Sequence, residues 1–284
     1  MPHMPFTQAI IVFILFCGGL FRPVHAQETP ILAGTIWQIG ELKQGGLMVG
    51  QTASPSAHVT LDEQHLTLSE HGYFAFGFHR DDTQTQQLII TYDNGSSFIT
   101  SLTPLTRTYE TQSISGLESK YVTPPQAITE RIQKDRQNVI KARAHKTTHD
   151  DFVMKGFDWP VSGIITGVYG SQRILNGKPR APHYGIDIAA PAGTAIISPA
   201  DGIVTMADDL YFTGGTIIID HGLSISSTML HLQKMMVSVG DIVKRGDVIG
   251  LVGSTGRSTG PHLDWRLNWE DKRLDPELAA KPRN

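Results

Sequence analysis

Gly253-Ser-Thr-Gly-Arg-Ser-Thr-Gly-Pro-His-Leu-Asp-Trp-Arg-Leu-Asn268 passes from small residues and turn formers into an alternating segment. Glycine and short hydroxyl residues let a backbone approach a ligand closely. From His262 onward the pattern is that of a strand, in which residues two apart project to one face. His262 and Asp264 therefore share a face. The loop is not a phosphate-binding loop, because its glycine spacing is wrong and Arg257 stands where lysine is required. Segments of the same strand-like kind precede it at 164–169, 185–189, 194–198, 202–207, 216–220, 225–232 and 248–252, punctuated by Gly and Pro. No long helix fits between them. The expectation for 152–284 is an antiparallel β domain.

Upstream, residues 27–112 also read as short strands: 35–39, 47–49, 57–61, 65–68, 73–78, 88–92 and 98–102. Asp93-Asn94-Gly95, between two apolar runs, is a hairpin signal. Strands at this spacing suggest an immunoglobulin-like β-sandwich. The scattered histidines His58, His65, His71 and His79 form no catalytic pattern. Between the two β regions, 113–151 reads as a linker with a helix. Thr123-Pro-Pro-Gln126 has the form of a capped start, and Ile128, Ile132, Val139 and Ile140 give a partial apolar stripe. The lysines and arginines of this helix read as a solvated face.

The chain has 284 residues, is 40% hydrophobic and 18% charged, and carries a net charge of −3. That composition describes folded domains and argues against a nucleic-acid footprint. Ala9–Phe21 is an uninterrupted apolar run, too short for a bilayer span and suited to a signal-peptide core. Val24-His25-Ala26 offers a cleavage point, so residues 1–26 are expected to be a signal peptide and the protein to reach the periplasm or cell envelope. The single cysteine, Cys17, would leave with that segment.

His183 and Asp187 stand four apart, and His262 and Asp264 follow about eighty residues later. Imidazole and carboxylate are both zinc ligands, and a catalytic zinc site keeps three protein ligands with one open position. Alone, each pair is weak evidence. His231, in Ser227-Thr-Met-Leu-His-Leu232, falls by alternation on the face of Met229, where a lone histidine is ordinarily a satisfied structural residue. His221, between Asp220 and Gly222, reads as a turn residue.

Together these stretches resemble peptidase family M23, the LytM/lysostaphin-type zinc metallopeptidases. The matching segments are Val168-Tyr-Gly-Ser171, His183-x3-Asp187, Gly193-Thr194, Ala200-Asp-Gly202, Asp220-His-Gly222, Met229-Leu-His-Leu232, Gly240-Asp241, Gly246-Asp247, Gly253-x-Thr-Gly256 and Gly260-Pro-His-Leu263. The resemblance implies one zinc ion held by His183, Asp187 and the residue at 264. It also implies catalytic roles for His231 and His262 around an attacking water. The implied activity is hydrolysis of peptidoglycan peptide cross-links in the envelope. A second reading is an impaired M23-like domain that binds and activates a cell-wall amidase. One position departs from the family: the last histidine of its H-x-H motif is Asp264 here. Counted over ligands alone, zinc with one His and two Asp is formally neutral, which would weaken its Lewis acidity and loosen its selectivity against other divalent ions. On that count Asp264→His should preserve or raise zinc affinity.

Overall fold

The computed structural model describes residues 35–283. The expected signal peptide, with Cys17, lies outside them. Among the described residues no helix is long and apolar enough to cross a membrane.

The N-terminal strands form two antiparallel sheets. One holds Thr35–Ile39, Leu47–Thr52 and Tyr73–Gly77. The other runs Gln64–His65, His58–Leu61, Gln86–Thr91 and Ser97–Leu102 in space. The Asn94-Gly95 turn joins the last two as expected. Gly95 sits at φ +81°, and its N–H donates to the Tyr92 carbonyl at 2.9 Å. An additional strand, Thr111–Ile114, pairs in parallel with Gln172–Leu175, which in turn pairs with Lys178–Arg180. Residues 113 and 114 thus continue a strand where a linker was expected.

The helix expected from Thr123 begins later. A short helix, Ser119–Val122, ends with Thr123 as its C-cap, Gln126–Ile128 form a single 3₁₀ turn, and the main helix is Thr129–Arg143. Two consecutive prolines explain the delay. The residue before a proline is steered out of helical backbone, so Pro124, followed by Pro125, cannot be the first helical residue that Thr123 would cap.

The C-terminal half is built on one antiparallel sheet. Its strands lie in the order Ile242–Val243, Gly202–Leu210, Gly214–Gly222, Ile225–Leu232, His262–Trp269, Ile186–Ala189 and Ile164–Gly167, with Lys272–Leu274 also bonded to His262–Trp269. Alternation along His262–Trp269 divides its residues between two surfaces. Leu263, Trp265, Leu267 and Trp269 enter the main core. Phe76 from the N-terminal half meets Trp269 there, ring centroids 6.5 Å apart, so one core spans both halves. Asp264 and Arg266 face the other way. On that second face Met206, Leu210 and Ile218 pack against Val139 and Ala142 of the Thr129–Arg143 helix. The helix and the candidate site thus share a sheet face, opposite the N-terminal sheets.

Candidate metal centre

Asp187 and Asp264 are register partners on neighbouring strands, which sets their carboxylates side by side. Two missing Cβ atoms make room for them. A Cβ at Gly185 would lie 2.6 Å from Asp264 Oδ1, and one at Gly167 would lie 2.3 Å from Asp187 Oδ2. His183 enters from the preceding loop. Its N–H donates to the Ser171 carbonyl at 2.8 Å and its carbonyl accepts from Gly170 N–H at 2.7 Å. Its ring is only 1% exposed.

His183 Nε2 lies 3.1 Å from Asp187 Oδ1 and 3.4 Å from Asp264 Oδ2. One ligating atom from each of the three residues falls within 4.8 Å of the other two. Both ring nitrogens of His183 and Oδ1 of Asp187 are buried without a hydrogen-bond partner. Buried polar atoms are normally paired. A close N···O approach without hydrogen-bond geometry is what lone pairs aimed at a common cation produce. The donor set therefore fits a divalent ion, and one imidazole with two carboxylates suits zinc. The electrostatics agree. Burial disfavours charge on His183, yet Asp187 and Asp264 outweigh it and raise its pKa above the ordinary 6.5. Burial likewise opposes charge on Asp187, but His183 brings its pKa down to about 2. Positive charge is favoured where the three groups meet.

His262 and His231 flank this point, their ring centroids 4.8 Å apart. His262 Nε2 is 3.8 Å from Asp187 Oδ1. Each ring is oriented through Nδ1: His231 toward the Thr255 carbonyl at 2.7 Å, His262 toward the Gly260 carbonyl at 2.8 Å. A carbonyl only accepts, so Nδ1 carries the proton in each neutral ring and Nε2 keeps a free lone pair. Burial pushes the His231 pKa down to about 4, which keeps its ring neutral near pH 7.

His231 reaches the site by breaking strand alternation. Leu230 pairs with Asp264 and Met229 with Trp265, so simple alternation would send His231 to the Met229 side. Its backbone instead sits at φ +67°, an uncommon conformation for a residue with a side chain, beside a bulge in the pairing with Gly214–Gly222. The structure thereby corrects the expectation of a merely structural residue facing with Met229. His221 is also corrected. It lies in a strand rather than a turn, buried, with Nδ1 toward the Asp201 carbonyl and Nε2 toward Ser227 Oγ.

Two guanidiniums back the carboxylates, and the sequence reading missed both. Arg266 bonds Asp264 through Nε (3.0 Å to Oδ1) and Nη2 (2.6 Å to Oδ2), and Arg173 Nη2 lies 2.5 Å from Asp187 Oδ2. Arg266 was findable, since it stands two residues after Asp264 on an alternating strand. Arg173 gave no signal, because its strand, a local hairpin with Lys178–Arg180, is set against Asp187 only by the fold. The neutral count over ligands alone therefore omits two nearby positive charges. By drawing electron density from the carboxylates, they offset the expected loss of Lewis acidity.

The peptidase family M23 model matches residues 181–276, which contain all five candidate residues. Residues 181–276 are a peptidase M23 domain. Relatives include an uncharacterized metalloprotease of Buchnera aphidicola, 43% identical over 35% of this chain and 27% of its own length. The peptidoglycan DD-endopeptidase ShyA of Vibrio cholerae is 45% identical over 31% of this chain and 20% of its own. The chain thus spans about a quarter of the length of these relatives. Similarity beyond the M23 domain comes from a crystal structure of a putative peptidase M23 from Pseudomonas aeruginosa. It is 26% identical, with a TM-score of 0.64 over 85% of this chain and 96% of that one.

Proposed function

We propose that this protein is an exported, zinc-dependent endopeptidase that hydrolyses peptide cross-links of peptidoglycan. The observation that carries the reading is the convergence of buried, otherwise unpartnered ligand atoms of His183 and Asp187 with Asp264, beside two histidines with free Nε2 lone pairs. Peptidoglycan as substrate rests on the names of relatives such as ShyA. Export rests on the apolar run Ala9–Phe21.

Zinc bound in this site would supply Lewis acidity, polarising a scissile carbonyl and lowering the pKa of a water to about 7. His183, Asp187 and Asp264 would hold the ion. His231, neutral and oriented by Thr255, accepts a proton at Nε2 from the attacking water and returns it to the leaving amine. His262, oriented by Gly260, steadies the oxygen on which negative charge develops. The amidase-activator reading needs no assembled donor set, whereas here all five side chains converge.

The test is zinc content of the purified chain together with peptide release from isolated sacculi. Bound zinc and release, both lost in His183→Ala, support the reading. A metal-free chain that releases nothing from sacculi rejects it.

A further inference from the structure

Past Asp264, the site face of the sheet opens into a cavity of about 860 Å³, roofed by the Thr129–Arg143 helix. Its floor includes Thr228, Leu230 and Arg266. The strand register places Leu230 beside Asp264 and Thr228 beside Arg266, so the cavity begins where the zinc ligands end. Arg273, opposite Asn268 in the register, projects to the same face from the edge strand. Arg143 comes down from the last turn of the helix. Arg143, Arg266 and Arg273, from three elements, therefore line one cavity, with Arg136 a turn or two earlier on the helix.

Their pairing is incomplete. Arg143 Nη2 donates to Thr228 Oγ1 at 3.2 Å, but its Nε is buried with no partner. Arg273 Nη1 reaches only the amide oxygen of Asn268, at 3.2 Å. Among the described residues neither has a carboxylate within ion-pair distance, while Arg266 engages Asp264 through Nε and Nη2, leaving Nη1. Acidic residues do line the cavity, but two are committed: Glu270 to Lys146 at 2.5 Å, and Asp135 to the Tyr211 N–H at 2.7 Å. Asp271 is the third. Burial, then the charges of Arg273 and Arg266, push the Arg143 pKa well below the usual guanidinium value. Burial and Arg266 lower Arg273 to about 10. Clustered, half-desolvated cations destabilise a fold unless an anion joins them.

We propose that this cavity is a carboxylate subsite, in which Arg143, Arg273 and the free edge of Arg266 hold a carboxylate of an acidic peptide substrate beside the zinc centre. The proposal rests on the peptidase reading for the identity of that peptide. Guanidinium is the group best matched to a carboxylate, since its fork of donors meets both oxygens. Spacing fixes the position. Arg266 is two strand residues from Asp264, and Arg273 lies level with Asn268, four residues away. At roughly 3.3 Å per residue, the carboxylate sits about 7–13 Å from the zinc ligands, two to four residues of extended peptide from the bond cut. The helix arginines, read from sequence as a solvated face, thus include one that turns inward.

The test compares a soluble cross-linked muropeptide dimer with free carboxylates against the same dimer with those carboxylates amidated, on the zinc-loaded full chain. The wild type should show kcat/KM about tenfold or more in favour of the acid, mainly through KM, as expected for a lost charge-assisted hydrogen bond. Arg143→Gln and Arg273→Gln should bring the ratio toward one at unchanged zinc content and without a lower melting temperature, and Arg143→Lys should keep part of it. Equal rates for both dimers in the wild type, or an equal loss on both in the variants, overturns the proposal. If neither dimer is cut, the peptidase reading fails separately. Calorimetric binding of a disaccharide tetrapeptide then decides the subsite. A preference for acid over amide that Arg143→Gln abolishes supports it, and no preference refutes it.

Discussion

Asp264 and Arg266 are two residues apart on one strand and hydrogen-bonded through two guanidinium nitrogens, so neither is an independent position. Removing one partner of a buried ion pair strands the other and costs about 3 kcal/mol or more. Asp264→His therefore no longer looks like a simple improvement of the ligand set. Alone, it should lower the unfolding free energy of the apo chain by about 3 kcal/mol in urea. Adding Arg266→Gln should recover most of that loss and with it zinc binding. Additive losses in the double variant would show that the two side chains are not coupled. Zinc must displace the proton that Asp187 and Asp264 favour on His183, whose pKa lies above 6.5. Zinc affinity should be level above that pKa and fall about tenfold per pH unit below it. Chelator competition from pH 5 to pH 8 measures this, and a flat profile would remove His183 from the ligand set. His183, Asp187 and Asp264 were legible as residues because their chemistry is local and their family spacing is regular. The facing of His231 was not, since one left-handed residue overrides the alternation of its whole strand.

At the scale of elements, the site depends on how closely the chain around Gly185 lies against the His262–Trp269 strand. A side chain at 185 would meet Asp264 Oδ1, Arg266 Cγ and the Trp265 carbonyl, all within 2.7 Å. The carbonyl is backbone and cannot swing aside. Gly185→Ala should therefore displace the Asp264 carboxylate, lowering zinc affinity at least about tenfold, with about 1–3 kcal/mol of destabilisation from overpacking. Zinc titration of a chain still showing its wild-type β-rich circular dichroism measures it. Unaltered affinity would mean the strands separate freely. Element boundaries followed the sequence where the signals are local, as at the Asn94-Gly95 hairpin and the Ile225–Leu232 strand. They escaped it at Thr111–Ile114, whose partner lies some sixty residues on at Gln172–Leu175. Parallel pairing over such a separation leaves no periodicity within either segment.

For the molecule as a whole, the decisive contact is the continuous core joining the N-terminal sheets to the M23 half. Phe76 and Trp269 are fully buried, and Leu47, Val49, Phe74 and Phe78 belong to the same cluster as Leu263, Trp265 and Leu267. This packing is on the sheet face away from Asp264, while Arg80 Nε, donating to the Gly170 carbonyl at 2.6 Å, and His79, with its ring centroid 5.3 Å from that of Tyr184, bring the N-terminal half to the loop that carries His183. Truncating a core aromatic removes transfer energy and leaves a cavity, about 3–5 kcal/mol together. Phe76→Ala should therefore destabilise the whole chain by that amount, although it lies outside the M23 match. Cooperative coupling also fixes the form of the transition. Near-ultraviolet circular dichroism, tryptophan fluorescence and release of bound zinc should report one midpoint in the wild type and one lower midpoint in the variant. Zinc retained at denaturant concentrations where the aromatic signal is already lost would mean that the M23 half stands on its own core. The N-terminal sheets would then be an appendage rather than part of the scaffold that holds Asp187 and Asp264 in register.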